Sequence, residues 1–230
     1  MYADAVATIA GSIFPIFQAL PQGDRLAMEV TGTGFFVDES GLFLAVDHVM
    51  AAVPGSSMYY YGNVPDRVCE PVEIECVATD PARDLYLGRV ARDYLAPVEL
   101  STDAVRPGDS VCLAGYPMAV PWLPDRGLAG NVRRYWQPSF VIDEAEVVIG
   151  QRTYDGYIVQ HACLRGMSGG PVFDPQGRVR GMAAAALTRT IPDPGGSPTV
   201  IQNGVVVDVE HIRRFIETSC RSSHRVVVGR

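Results

Sequence analysis

The chain has 230 residues, 47% of them hydrophobic, with a formal net charge of −7. This composition excludes a disordered chain, which would be more polar, and a broad basic face for nucleic acid. At this length roughly 70 per cent of the unfolded surface can be buried, so no disulfide staple is required.

The N-terminal stretch MYADAVATIAGSIFPIFQALPQG has no basic n-region, carries Asp4 early, and is interrupted by Pro15. The expectation is neither a signal peptide nor a membrane span, but a segment (residues 1–27) that packs on the body of the fold. Short apolar or alternating runs then recur between scattered glycines and prolines: GTGFFVDESGLFLAV, EPVEIECVA, DSVCLAGYP, SFVIDEAEVVIG, DGYIVQHACL, GRVRGMAAAAL and NGVVVDV. Many short strands with frequent turn signals predict an all-β barrel or sandwich. Residues 98–111, VELSTDAVRPGDSV, are polar, contain a Pro-Gly pair and form the best candidate boundary between two halves. Residues 117–138 and 188–203 read as long irregular loops, of the kind that carry function on a rigid scaffold. Trp122 and Trp136 in the first of these either belong to a partner-binding loop or pack that loop onto the second half. In DVEHIRRFIETS, Val209, Ile212, Phe215 and Ile216 recur at helical spacing behind a candidate N-cap, Asp208. A short C-terminal helix follows, then a loose tail.

The five cysteines, Cys69, Cys76, Cys112, Cys163 and Cys220, match no zinc or redox spacing. Read as free thiols, and with no leader apparent, they lead to the expectation of a cytoplasmic bacterial protein. Neither a metal nor an organic cofactor is expected, and no membrane or nucleic-acid partner.

The chemistry centres on LRGMSGGPVFD, residues 164–174, which sets Ser168 in a glycine-rich turn. A serine needs a base before it can attack. Of the four histidines, His48 ends the apolar run GLFLAVDHVM where a turn should begin. VATDPARDLYLGRV offers two carboxylates, Asp80 and Asp84. Asp84 stands at a strand entrance, from which it can accept a hydrogen bond from His48 and fix its tautomer, whereas Asp80 can cap the turn at Pro81. The order His, Asp, Ser is one of three familiar triad orders. GMSGG also fits the G-x-S-x-G elbow, but too little chain follows Ser168 to supply the other two members of that arrangement.

GTGFFVDESGLFLAVDHV, ATDPARDLYLGRV, VCLAGYPMAV and LRGMSGGPVFDPQGRVRGM together resemble the motifs of chymotrypsin-fold serine proteases. The likeness is greatest to the HtrA-like and related bacterial trypsin-like peptidases, and it spans roughly residues 28–210. It implies two antiparallel six-stranded β-barrels with the site between them. The N-terminal barrel (28–98) would carry His48 and Asp84 and the C-terminal barrel (99–207) Ser168, with helix and tail over 208–230. It implies a serine endopeptidase acting on polypeptides, with Gly166, Met167 and Ser168 as the oxyanion turn. Ala183, Ala184 and Ala185 would pair with the substrate backbone, Ala162 would floor the specificity pocket, and Cys163 and His161 would lie near it. The uncharged Ala162, with Met182 and alanines facing it, predicts an uncharged side chain before the scissile bond.

Departures from that pattern matter. The aspartate that precedes the nucleophile in digestive members, and pairs with a newly cut N-terminus, is Met167 here, so activation by propeptide removal is not expected. The cysteine that often follows the catalytic histidine is Val49, and no PDZ-like module is expected. Two other functions stay open. One is a binding module with a latent site, awaiting an activating partner protein. The other is an esterase using the same triad.

Overall fold

The computed structural model describes residues 2–22, 25–51, 58–60, 72–91, 96–117 and 132–223. The first sheet contains β1 (Ile13–Gln22), β2 (Arg25–Phe36), β3 (Leu42–Ala45), β4 (Met58–Tyr60), β5 (Val72–Glu73), β6 (Glu75–Asp80) and β7 (Leu85–Arg89). Its strand order is β5-β4-β1-β2-β3-β7-β6. The expectation is six strands; the described residues form seven, because the run EPVEIECVA breaks at Ile74. Its two halves pair with strands at opposite edges, β5 with β4 and β6 with β7. One residue separates β5 from β6, so the two edges of the sheet meet there, and the seven pieces curl into a ring of six.

The second sheet contains β8 (Ser110–Gly115), β9 (Tyr135–Ile149), β10 (Arg152–Val159), β11 (Pro171–Phe173), β12 (Val179–Ile191) and β13 (Thr199–Asp208). Its antiparallel order, β10-β13-β12-β11-β8-β9, closes through the pairing of β9 with β10. The fold is therefore the expected all-β double barrel of chymotrypsin type. Phe14, Phe36 and Phe43 pack ring against ring in the first barrel. Trp136 of β9 meets Phe173 of β11 edge to face in the same apolar cluster, which an N-terminal helix also joins, whereas Leu113, Tyr157, Val172 and Val206 form a separate core in the second barrel.

Three boundaries differ from expectation. Residues 13–22 belong to the first sheet, as β1, instead of packing on it from outside. Pro15 is tolerated toward β2 because its pairing with Thr33 is a non-hydrogen-bonded one: Thr33 turns its backbone away from β1, its N–H donating to Ser168 O at 2.9 Å, so β2 needs no donor from the proline. Residues before β1 form a helix, α1 (Ala3–Ile9), that packs on the second barrel, where Tyr2 bonds Ser110 and meets the Phe173 ring. The irregular stretch expected to reach residue 138 gives way to strand at Tyr135; Trp122 lies outside the described residues, and Trp136, on β9, packs against Phe173 of β11. Most of 188–203 is not loop but a ribbon in which Ile191 pairs with Thr199 and Thr188 with Gln202, since its Thr, Ile and Val residues suit a pleated strand.

After β3 the chain makes one short turn of helix, α2 (Asp47–Met50). The final helix, α3 (Val209–Ser223), starts where expected: Asp208 Oδ1 accepts the Glu210 N–H at 2.7 Å, and Ile212 is fully buried. Among the described residues no helix is long and apolar enough to cross a membrane.

Candidate active site

Two turns of the first barrel bring His48 and Asp84 together. His48 is the second residue of α2, two positions after buried Val46, and Asp84 ends the turn between β6 and β7. Asp84 is 0% exposed and holds a positive φ of 58°. A non-glycine residue in that region is strained and persists only when its surroundings over-determine it. They do so here. His48 Nδ1 lies 2.7 Å from Asp84 Oδ2, and the His48 backbone N–H donates to Oδ1 at 2.9 Å. Tyr154 donates its phenol to Oδ2 at 3.0 Å. Arg152 Nε stands 3.3 Å from Oδ1, a charge contact without hydrogen-bond alignment. Tyr154 and Arg152 come from β10 of the other barrel, and the neighbouring Thr153 N–H bonds Ala82 O at 2.9 Å. One short segment of the second barrel thus clamps the aspartate turn of the first.

The electrostatics follow from these contacts. Burial alone would raise the Asp84 carboxyl, but the hydrogen bonds and charge of His48, with help from Tyr154, hold it below the ordinary 3.8. Burial, reinforced by the Asp84 charge, keeps the Tyr154 phenol above its usual range, so it stays a donor. The other carboxylate of this turn, Asp80, is bonded by the Arg83 backbone and guanidinium and caps the Pro81–Arg83 bend.

Ser168 arrives from the second barrel. Its turn is packed against the first: a side chain at Gly169 would lie 2.2 Å from Thr33 O and 3.1 Å from Val46 N, and one at Gly32 would meet Ser168 O at 2.8 Å. Only glycine permits these approaches, and Gly166 and Gly169 also hold positive φ, 94° and 86°. Within the turn the Met167 N–H bonds Leu164 O, Gly169 N–H bonds Ala183 O, and Gly170 N–H bonds Met167 O. Among the described residues, the amides of Gly166 and Ser168 have no acceptor. Two unspent donors beside one hydroxyl can receive a single oxygen anion. The Ser168 hydroxyl contacts Cys163 Sγ at 4.0 Å, and among the described residues no hydrogen bond joins it to His48.

The remaining expected site residues divide. Cys163 is buried and borders Ser168; Ala162 accepts a long 3.4 Å contact from Gln137. His161 is turned to Ser139, with its N–H 3.1 Å and its Nδ1 3.2 Å from that hydroxyl. Ala183 has both backbone groups occupied, by Gly169 and Gly170, and so is not free to pair with a substrate strand. Ala184 is bulged out of register with β13, and Ala185 resumes the pairing opposite Val205. Such bulges commonly sit beside functional sites. Among the described residues no cluster of His, Cys, Asp and Glu is suited to a metal. Sequence reasoning missed Arg152 and Tyr154, since nothing in a strand motif reveals which side chain will reach across a cleft.

The pattern of a trypsin-like peptidase domain matches residues 32–182. Similar curated proteins include a probable periplasmic serine endoprotease of DegP-like type from Bartonella henselae, 30% identical over 177 residues, covering 76% of this chain and 31% of that protein. A protein so described from Rhizobium meliloti is 30% identical over 73% of this chain and 30% of its own length. The chain thus spans about a third of the length of these relatives. Among solved structures, the HtrA-type protease AlgW with a decapeptide superposes with a TM-score of 0.71 at 17% identity, covering 96% of this chain and 68% of that one. The Rv3671c protease from M. tuberculosis in its active form gives 0.64 at 20% identity, covering 91% and 81%. These names overturn the cytoplasmic expectation, since the curated relatives are described as periplasmic. Free thiols do not mark a compartment here: Cys112 and Cys163 are buried and burial pushes both up to about 12, which disfavours the reactive thiolate, whereas Cys76 is free and exposed.

Proposed function

This chain belongs to the trypsin-like peptidase family, and from that premise we propose that it is a serine endopeptidase whose nucleophile is Ser168. His48 takes the Ser168 proton through Nε2 as the hydroxyl attacks a scissile carbonyl, and later returns it to the leaving amine. Asp84 keeps the Nδ1 proton of His48 in place and stabilises the cation that forms. The Gly166 and Ser168 amides hold the oxyanion, a contribution on the order of a hundredfold to a thousandfold per donor. The observation that carries this reading is the 2.7 Å His48–Asp84 contact beside a turn whose Gly166 and Ser168 amides are unspent. The substrate is a polypeptide, laid along the edge at Ala184 and Ala185, with its side chain toward Cys163 and Ala162. The location of the DegP-like relatives makes a periplasmic or secreted setting the fitting one. Digestion of an unfolded protein tests the reading: Ser168→Ala should cut the rate by on the order of a millionfold. Small-ester turnover with no cleavage of any unfolded protein would indicate an esterase.

One observation favours a second reading, a resting site that waits for its partner or substrate. The Ser168 hydroxyl contacts Cys163 and makes no hydrogen bond to His48 among the described residues. Resting enzymes often tighten such bonds only on binding substrate. A fluorophosphonate that labels the isolated protein at once rules this reading out.

A further inference from the structure

Met167 leaves a structural problem. Its side chain is fully buried in an apolar cluster with Leu113, Val159, Cys163 and Val172, and offers no hydrogen bond or charge to hold the turn that ends in Ser168. Yet the turn must keep the Gly166 and Ser168 amides aimed at one point.

We propose that Thr33 is the positioning residue that holds this turn, a reading that rests on the serine mechanism above. Thr33 is 0% exposed and lies on β2 of the opposite barrel. Its hydroxyl donates to Gly166 O at 2.7 Å and accepts the Tyr116 N–H at 3.1 Å. An amide can only donate, so the hydroxyl proton is committed to Gly166 O. Its own backbone N–H donates to Ser168 O at 2.9 Å. One residue therefore grips the turn at two carbonyls, on either side of Met167.

The consequence for the amides follows from peptide geometry. In a trans peptide the N–H and C=O point in opposite directions. Thr33 pins Gly166 O on one side, and Leu164 O takes the Met167 N–H on the other, so the Gly166–Met167 plane is fixed. Gly170 takes Met167 O, which fixes the next plane and with it the Ser168 N–H. Gly166 is the third residue of the Leu164–Met167 turn, where positive φ is required for type II and excluded for type I. With its far plane held by Thr33, the peptide carrying the Gly166 N–H loses the freedom to swing. Gly32 has no side chain because Ser168 O must come within reach of the Thr33 N–H. The clamp uses neutral hydrogen bonds from within the fold, so it needs no new N-terminus.

The test is a series at residue 33, assayed on a peptide substrate and against a peptide boronate that mimics the tetrahedral state. Thr33→Ser keeps the donor and should retain kcat within about threefold. Thr33→Cys offers a weak donor and should lose about tenfold. Thr33→Val keeps the shape and should lose on the order of a hundredfold in kcat, the loss expected for a misaimed oxyanion donor. KM should stay within about threefold, and boronate affinity should fall in step with kcat. A Thr33→Val enzyme with wild-type kcat overturns the proposal. So does a series in which kcat follows thermal stability instead of donor strength, and if the valine variant does not fold, the serine and cysteine variants still decide between these orders. Failure of the underlying mechanism is distinguishable: in that case Ser168→Ala keeps wild-type activity whatever stands at residue 33.

Discussion

The two halves of the site are held in opposite ways. Asp84 is a buried charge surrounded by donors: the His48 amide and ring, the Tyr154 phenol, and the Arg152 guanidinium nearby. The Ser168 turn is held through neutral contacts, an apolar Met167 and the Thr33 clamp, and keeps two amides unspent. A buried carboxylate must be satisfied or it will take up a proton. An oxyanion site must be left unsatisfied, so that its donors meet charge only when the reaction creates it. Each half also borrows from the other barrel, since Tyr154 crosses to Asp84 and Thr33 crosses to Gly166.

This contrast is broken most strongly at Asp84. Asp84→Asn should lower kcat by about ten-thousandfold, as expected when the wrong histidine tautomer is held, with little change in KM. The same variant reports on pH. Because the folded carboxyl is depressed below 3.8, its stabilisation is present above that value and is lost as pH falls through the lower native value. The urea-midpoint gap between wild type and Asp84→Asn should therefore shrink as the pH is taken down through that range. Met167→Asp asks the neutral half to accept a charge. With only apolar neighbours in its cluster, the variant should lose about 3 kcal/mol or more in urea unfolding, whereas Met167→Leu should cost less than about 1.5. Tyr154→Phe removes one of several donors and sharpens the comparison. It should lower kcat about tenfold or less, and the acid loss of stability should begin at higher pH, since the Tyr154 bond helps depress Asp84.

How much of this was legible in the sequence depends on distance along the chain. The candidates His48, Asp84 and Ser168 are each marked within a few neighbours: a strand that ends, a carboxylate at a strand entrance, glycines that allow close approach. Arg152 and Tyr154 do not, because their partner is set only when β10 is laid beside the aspartate turn. Thr33 lay in plain view in GTGFF, but its hydroxyl reads as an ordinary strand threonine until Gly166 O is placed 2.7 Å away. Pro15 reads as a break because the sequence does not show that it falls at a non-hydrogen-bonded pair, opposite a Thr33 whose backbone is turned toward Ser168. Free cysteines read as a compartment marker, but the burial that disables Cys112 and Cys163 is a property of the packed barrel.

The central claim is that Ser168 is a nucleophile activated by His48 and Asp84. Labelling with a fluorophosphonate, followed by peptide mass mapping, tests it most directly. One adduct per chain is expected on Ser168, none in Ser168→Ala, and labelling slowed at least a thousandfold in Asp84→Asn. Labelling at another residue, or Ser168→Ala protein that still cleaves an unfolded polypeptide at the wild-type rate, would contradict it.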